Sequence, residues 1–208
     1  MPELGPICLI FGRRAGTSSL ARDLFHASYP LRGPLDCRPF PAQPDGHYEN
    51  TFARGINQGI LDHFNLKPGV PGLVPFQICQ PLGNWADRHE GPFIVKDPGL
   101  DMTWPVWVRT LTPRKLVGIW CDRDPEARKE SLRRNYAIPP QNAHWAVAMY
   151  DLCINAATKH IQTIRVDLAD PSRNKLVQGW LHVAGIFPDP AYPQPERILE
   201  HQNQQNAE

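Results

Sequence analysis

Five consecutive apolar residues, "ICLIF" (7–11), precede a polar turn and a stretch in which Leu20, Leu24 and Phe25 recur at helical spacing. A short unbroken apolar run marks a parallel strand buried on both faces, and the periodic stretch marks a helix packing back onto it. Thr17, Ser18 or Ser19 carries the hydroxyl that caps such a helix. The alternation then repeats. "NTFARGINQGILDHF" (50–64) sets Phe52, Ile56, Ile60 and Phe64 four apart, a helix weakened by Gly55 and Gly59. "FIVK" (93–96) is a second buried strand, "WPVWVRTL" (104–111) a short helix with Pro105 in its first turn, and "KLVGIWC" (115–121) a third strand. Residues 122–135 form a helix with proline near its start, 140–161 a long helix, "TIRV" (163–166) a fourth strand, and 170–186 a last helix ending near Gly185.

Strands alternating with helices predict an α/β fold, a parallel sheet covered by helices on both faces. Two proline-rich segments, 29–46 and 67–92, read as surface loops bordering a site. Residues 188–208, rich in proline and then glutamine, read as a tail beyond a single domain spanning 1–187.

Composition narrows the function. Lys and Arg number 22 against 21 Asp and Glu, a net charge of +1 in 208 residues, so any anion site is local and no nucleic acid is expected as partner. The five cysteines are odd in number and form no CxxC pair, which argues against a disulfide framework and against a metal site. No apolar stretch reaches membrane-spanning length and no signal peptide is evident, so the expectation is a cytoplasmic protein without a membrane partner. Nothing sets the oligomeric state; a homodimer is admitted.

The chemistry lies at the strand ends, where an open α/β sheet gathers its ligands. "GRRAGTSS" (12–19) follows the first strand. Unpaired N–H groups and the dipole at a helix start attract an anion there, Gly12 and Gly16 allow a tight turn, and Arg13 and Arg14 add forked donors. A nucleotide-hydrolysing P-loop needs four residues between its glycines and a lysine after the second; this loop has three, then Thr17. After the third strand, Arg123 stands eight positions before Ser131, a spacing that lets a strand-end guanidinium and a helical hydroxyl reach one anion. Each motif alone also suits an ordinary solvated surface.

Together they resemble a family. "RRAGTSS" is similar to the 5'-phosphosulfate loop of sulfotransferases, whose bacterial members often read R-S-G-T-S, and "RDPEARKES" resembles their 3'-phosphate motif. "FIVKDPGL" with "WPVW" is similar to the bacterial K-D-P-R-L and P-x-W stretch. "GHYENTFARGINQGIL" looks like the family's glycine–aromatic–glutamate segment, and "RVDLADPSRNKLVQGWLHVAGI" like its closing strand and helix. The resemblance covers most of 7–187 in family order.

It implies a three-layer, P-loop-NTPase-like sulfotransferase fold that binds 3'-phosphoadenosine-5'-phosphosulfate (PAPS) without a metal. The sulfuryl group would pass to a hydroxyl or amine of a small molecule, releasing the desulfated product PAP. By that resemblance Arg13, Arg14, Gly16, Thr17, Ser18 and Ser19 cradle the phosphosulfate, and Arg123 and Ser131 hold the 3'-phosphate, with Arg133 or Arg134 assisting. Lys96 meets the leaving-group oxygens, and Asp97 orients it, acts as base or caps the next segment. Pro98 stands where other members carry a histidine, so Glu49 is the first candidate base and His47 the second. Gly99 replaces an arginine common in bacterial members. Trp85, Trp104, Trp107 and Tyr48 would suit an aromatic acceptor if they border the cleft. Two alternatives stand beside this reading: a non-catalytic PAPS- or partner-binding relative, and a kinase with a degenerate P-loop.

Overall fold

The computed structural model describes residues 4–31, 34–37 and 46–191. In chain order the elements are β1 (Ile7–Phe11), α1 (Thr17–His26), β2 (Leu35–Asp36), β3 (Glu49–Asn50), α2 (Thr51–His63), α3 (Gln80–Ala86), β4 (Phe93–Lys96), α4 (Leu100–Thr110), β5 (Leu116–Asp122), α5 (Pro125–Tyr136), α6 (Pro140–Ala157), β6 (Gln162–Asp167) and α7 (Arg173–Ala184).

Four strands form one parallel sheet in the order β4-β1-β5-β6, with Ile10 opposite Lys96 on one side and Phe11 opposite Trp120 on the other. β1 is the reason for the order: all five of its residues are buried, so it needs a strand on each edge and a helix layer on each face. Its side chains alternate. Cys8 and Ile10 join the apolar cluster with Leu20 and Leu24 of α1 and Val177 and Leu181 of α7. Ile7, Leu9 and Phe11 join the opposite cluster with Leu82 of α3, Trp104 and Trp107 of α4, and Ile154 of α6. Burying each such side chain contributes about 1.5–3 kcal/mol, so this strand anchors all three layers.

Because the chain leaves β1 for β4 on one edge and then crosses to β5 on the other, the connections diverge between β1 and β5. The crevice of an open sheet lies at the carboxyl ends of such a pair. β2 and β3 pair antiparallel, Asp36 opposite Glu49, and this short ribbon carries Glu49 toward the end of β4.

Some boundaries differ from the sequence expectation. α4 begins at Leu100, so Pro105 lies in its second turn; the gain is burial of every residue from Leu100 to Trp107. α3 forms inside the segment read as loop, driven by burial of Leu82, Trp85 and Ala86. At the start of α1 the capping position is taken by Gly16 in left-handed conformation, and no hydroxyl caps the helix. The tail from 192 onward and most of the 29–46 loop lie outside the described residues. No helix among the described residues is long and apolar enough to cross a membrane.

The far end of the sheet is tied by a single side chain. The Arg114 guanidinium, buried, donates to the carbonyls of Gly5, Ala86, His89 and Gly91 and lies 4.9 Å over the Phe93 ring. Arg114→Met should lower stability by about 3 kcal/mol, because several carbonyls lose their donors at once, and Arg114→Lys should recover little of it. Urea denaturation reads this as a lower midpoint at unchanged slope; a midpoint equal to wild type would refute the clamp.

Candidate functional site

The turn after β1 is held open by its backbone. Gly12, Arg14 and Gly16 all have positive φ (113°, 62° and 85°), and a Cβ on Gly12 would lie 2.4 Å from the Cys121 carbonyl oxygen. Only glycine allows the loop to cross that close to β5. The first two amides of the loop are already engaged. The buried Asp101 carboxylate of α4 accepts from Gly12 N at 2.9 Å and Arg13 N at 2.6 Å. Burial raises the Asp101 carboxyl above its usual range, against the pull of those two N–H groups and of Arg13 and Arg128. Among the described residues no acceptor engages the N–H groups of Gly16, Thr17 and Ser18, which open α1 and share its dipole.

Around those amides lies a cavity of about 280 Å³. The loop contributes Arg13, Arg14, Gly16, Thr17 and Ser18, β4 contributes Lys96, the end of β5 contributes Arg123, and α5 contributes Ser131 and Arg134. Glu49 and His47 complete it. Five cationic side chains thus face a single carboxylate, and such a cavity selects a multiply charged anion. The two strand-to-helix corners touch: Arg14 Nε donates to Ser131 Oγ at 2.7 Å. Arg13 is pinned behind them, its guanidinium 5.4 Å from the Tyr150 ring and 6.0 Å from Tyr136.

Lys96, like Arg13, is a buried cation of the site. Its Nζ donates to Ser18 Oγ, the His47 carbonyl and Glu49 Oε1, each at 2.9 Å, which uses all three of its protons. Burial would raise the Glu49 carboxyl, but Lys96, His47 and Arg54 outweigh it and hold the group below the usual glutamate value. Burial, with the positive charges of Lys96 and Arg54, lowers His47 despite Glu49 3.7 Å away, so the imidazole is neutral at pH 7.

A second, larger cavity of about 610 Å³ opens beside the first and shares Arg13, His47, Glu49, Pro98 and Tyr136 with it. Among the described residues no group of three His, Cys, Asp or Glu side chains is arranged to hold a metal ion.

No protein-family model matches this chain, and no curated protein does. Solved structures do. The sulfotransferase domain of an olefin synthase from Synechococcus superposes with a TM-score of 0.54 at 16% identity, covering 91% of this chain and 76% of its own. The fold is that of a sulfotransferase. A sulfotransferase from Mycobacterium tuberculosis aligns at 0.49 with 16% identity over 96% and 72% of the two chains. Shikimate kinase from Acinetobacter baumannii aligns at 0.43 with 11% identity over 88% and 93%.

Within this sulfotransferase fold the residues expected from the sequence fall into three groups. Arg13, Arg14, Gly16, Thr17, Ser18, Lys96, Glu49, His47, Arg123 and Ser131 line one cavity, and Arg134 rather than Arg133 joins them, since Arg133 pairs with Glu130. Asp97 lines the larger cavity, where its Oδ1 accepts from Asn57 Nδ2 at 2.7 Å and Gly99 N at 2.8 Å, just before α4, which has no side-chain cap; Glu49 is the carboxylate that bonds Lys96. Ser19, half-buried on α1, lines neither cavity. Trp85, Trp104, Trp107 and Tyr48 are buried in the core and line neither, so they give no ground for an aromatic acceptor. Sequence reasoning missed Asp101, Asn57 and Tyr136, whose roles depend on contacts between distant segments.

The glycine at 99 has a local cause. A Cβ there would stand 2.7 Å from Asp97 Oδ1 and 2.8 Å from Asn57 Cβ, so no side chain fits while the Asp97–Asn57 bond is made. Gly99→Ala should cost about 2 kcal/mol by forcing that pair apart, and Asn57→Gly, which removes the clashing Cβ, should offset part of the loss in the double variant. Thermal unfolding of the cycle checks it; full additivity would contradict it. Glu49→Gln should cost about 3 kcal/mol at pH 7 by leaving the Lys96 ammonium buried without its counter-charge. A carboxyl titrating below its unfolded value stabilises above the usual glutamate range and loses that contribution as pH falls through its folded value. The stability gap between wild type and variant should therefore shrink on acidification; a gap independent of pH would refute the pair.

Proposed function

We propose that this chain is a sulfotransferase that uses PAPS as co-substrate and passes its sulfuryl group to a hydroxyl or amine of a small molecule. One observation carries the reading: two separate strand-to-helix corners, joined by the Arg14–Ser131 bond, converge on a cavity with five cations, one carboxylate and three free helix-start amides. A nucleotide carrying anionic groups at both its 5' and 3' ends fits that division. The amides of Gly16, Thr17 and Ser18 with Arg14 receive the 5' end, and Arg123 with Ser131 and Arg134 receives the 3'-phosphate.

The chemistry supplied by the co-substrate is an S–O cleavage. The acceptor oxygen or nitrogen forms the new bond to sulfur, the bridging oxygen leaves with the electron pair on PAP, and the acceptor proton is released. The protein's part is electrostatic and positional. Lys96, held by Glu49 and Ser18, places a fixed positive charge beside the bridging oxygen. Glu49, ionised at neutral pH, is the first candidate to take that proton and His47, neutral there, the second; both stand where the two cavities meet. No side chain is arranged as a lysine of the nucleotide-hydrolysing type within the loop.

Titration calorimetry tests the reading. PAP should bind without magnesium at least tenfold more tightly than AMP, which lacks the 3'-phosphate. Arg123→Ala should erase that preference while leaving AMP binding intact. Absence of PAP binding at millimolar concentration, or tighter binding of magnesium ATP, would overturn it.

A further inference from the structure

The larger cavity is walled by one face of α2. Arg54, Asn57, Gln58, Leu61 and Asp62 recur at the three-and-four spacing of a helix stripe, Asn65 continues the line just beyond the helix, and only Leu61 among the six is apolar. Arg54, Gln58, Asp62 and Asn65 stay exposed, and the polar face they form lines a concave space of about 610 Å³ that opens onto Glu49 and His47.

Two features of the lining define what it would hold. The first is a mixed lining: Arg13, Arg54 and Lys67 stand beside Glu49, Asp62 and Asp97, with neither sign of side chain in excess. The second is the shortage of aromatic surface. Among the described residues no tryptophan or phenylalanine lines the cavity, and Tyr136 is the one phenol ring. A planar apolar acceptor would cover these polar groups without offering them hydrogen bonds. Hydrogen-bonding capacity is still open along the stripe. Gln58 donates to Asp62 at 2.7 Å, which leaves the Gln58 carbonyl oxygen and the other Asp62 oxygen as acceptors. Leu61 and Leu66 offer a small apolar patch between them.

We infer that the acceptor is a neutral polyhydroxylated molecule of mono- to disaccharide size, lying along α2 with one hydroxyl presented to Glu49 and His47. The inference rests on the proposed transferase reading for its chemistry, while the ligand class rests on the cavity alone. Uncharged hydroxyls both donate and accept, so they satisfy a mixed lining of donors and acceptors that no single charge could.

Saturation-transfer NMR on the nucleotide-free protein, with methyl glycosides, disaccharides and inositols set against phenols of similar size, reads the ligand class directly. At least one polyol should receive saturation and bind at least tenfold more tightly than every phenol. The double variant Gln58→Leu/Asp62→Leu, at exposed positions of α2, should weaken that polyol at least tenfold and leave PAP affinity unchanged. Preference for phenols, absence of polyol binding, or wild-type polyol affinity in the double variant would each overturn the inference. Failure of PAP to bind while a polyol still does would instead overturn the transferase reading and leave the cavity's ligand class standing.

Discussion

A buried ammonium organises this molecule's working end. Lys96 is the last residue of β4, opposite Ile10 of β1, and its Nζ has three partners drawn from two distant segments: Ser18 on α1, and the His47 carbonyl and Glu49 carboxylate of the 46–50 segment. Removing a lysine from water is costly unless each proton is bonded and the charge is met. Here both conditions hold, so the position of the 46–50 segment follows from the need to satisfy one cation. The same bonds set the two candidate proton acceptors at the junction of the cavities. Should Glu49 be lost, the charge stays and its compensation goes.

Asp101 plays the matching part for the loop. Its carboxylate takes the amides of Gly12 and Arg13 from the protein side, while among the described residues those of Gly16, Thr17 and Ser18, which line the cavity, meet no acceptor. The loop is short, with three residues between its glycines, and its arginines and those of the neighbouring corner supply the guanidinium groups of the cavity.

Much of the framework could be read from the chain. The alternation of buried strands and amphipathic helices gave the layers, and the glycines and arginines after β1, with Arg123 and Ser131 after β5, marked the two corners that do meet. Local signals sufficed there because strand ends in such a sheet converge by topology. What could not be read was which side chain answers which. Asp97 looked like the partner of Lys96 because it is adjacent, yet adjacent strand residues point to opposite sides, and Asp97 turns to Asn57, 40 positions away. The tryptophans of α4 looked available for a ligand until the helix began four residues early and buried them. Gly99, a departure when viewed against the resemblance, follows from the closeness of Asn57 and Asp97, a contact between elements that no local pattern encodes.

The proposed chemistry requires one ligand to span both corners. A crystal structure of the protein soaked with PAP measures it. The prediction is a 5'-phosphate within hydrogen-bonding distance of the Thr17 and Ser18 amides and a 3'-phosphate against Arg123 and Ser131 in the same molecule. A nucleotide bound with either phosphate away from these groups would contradict it.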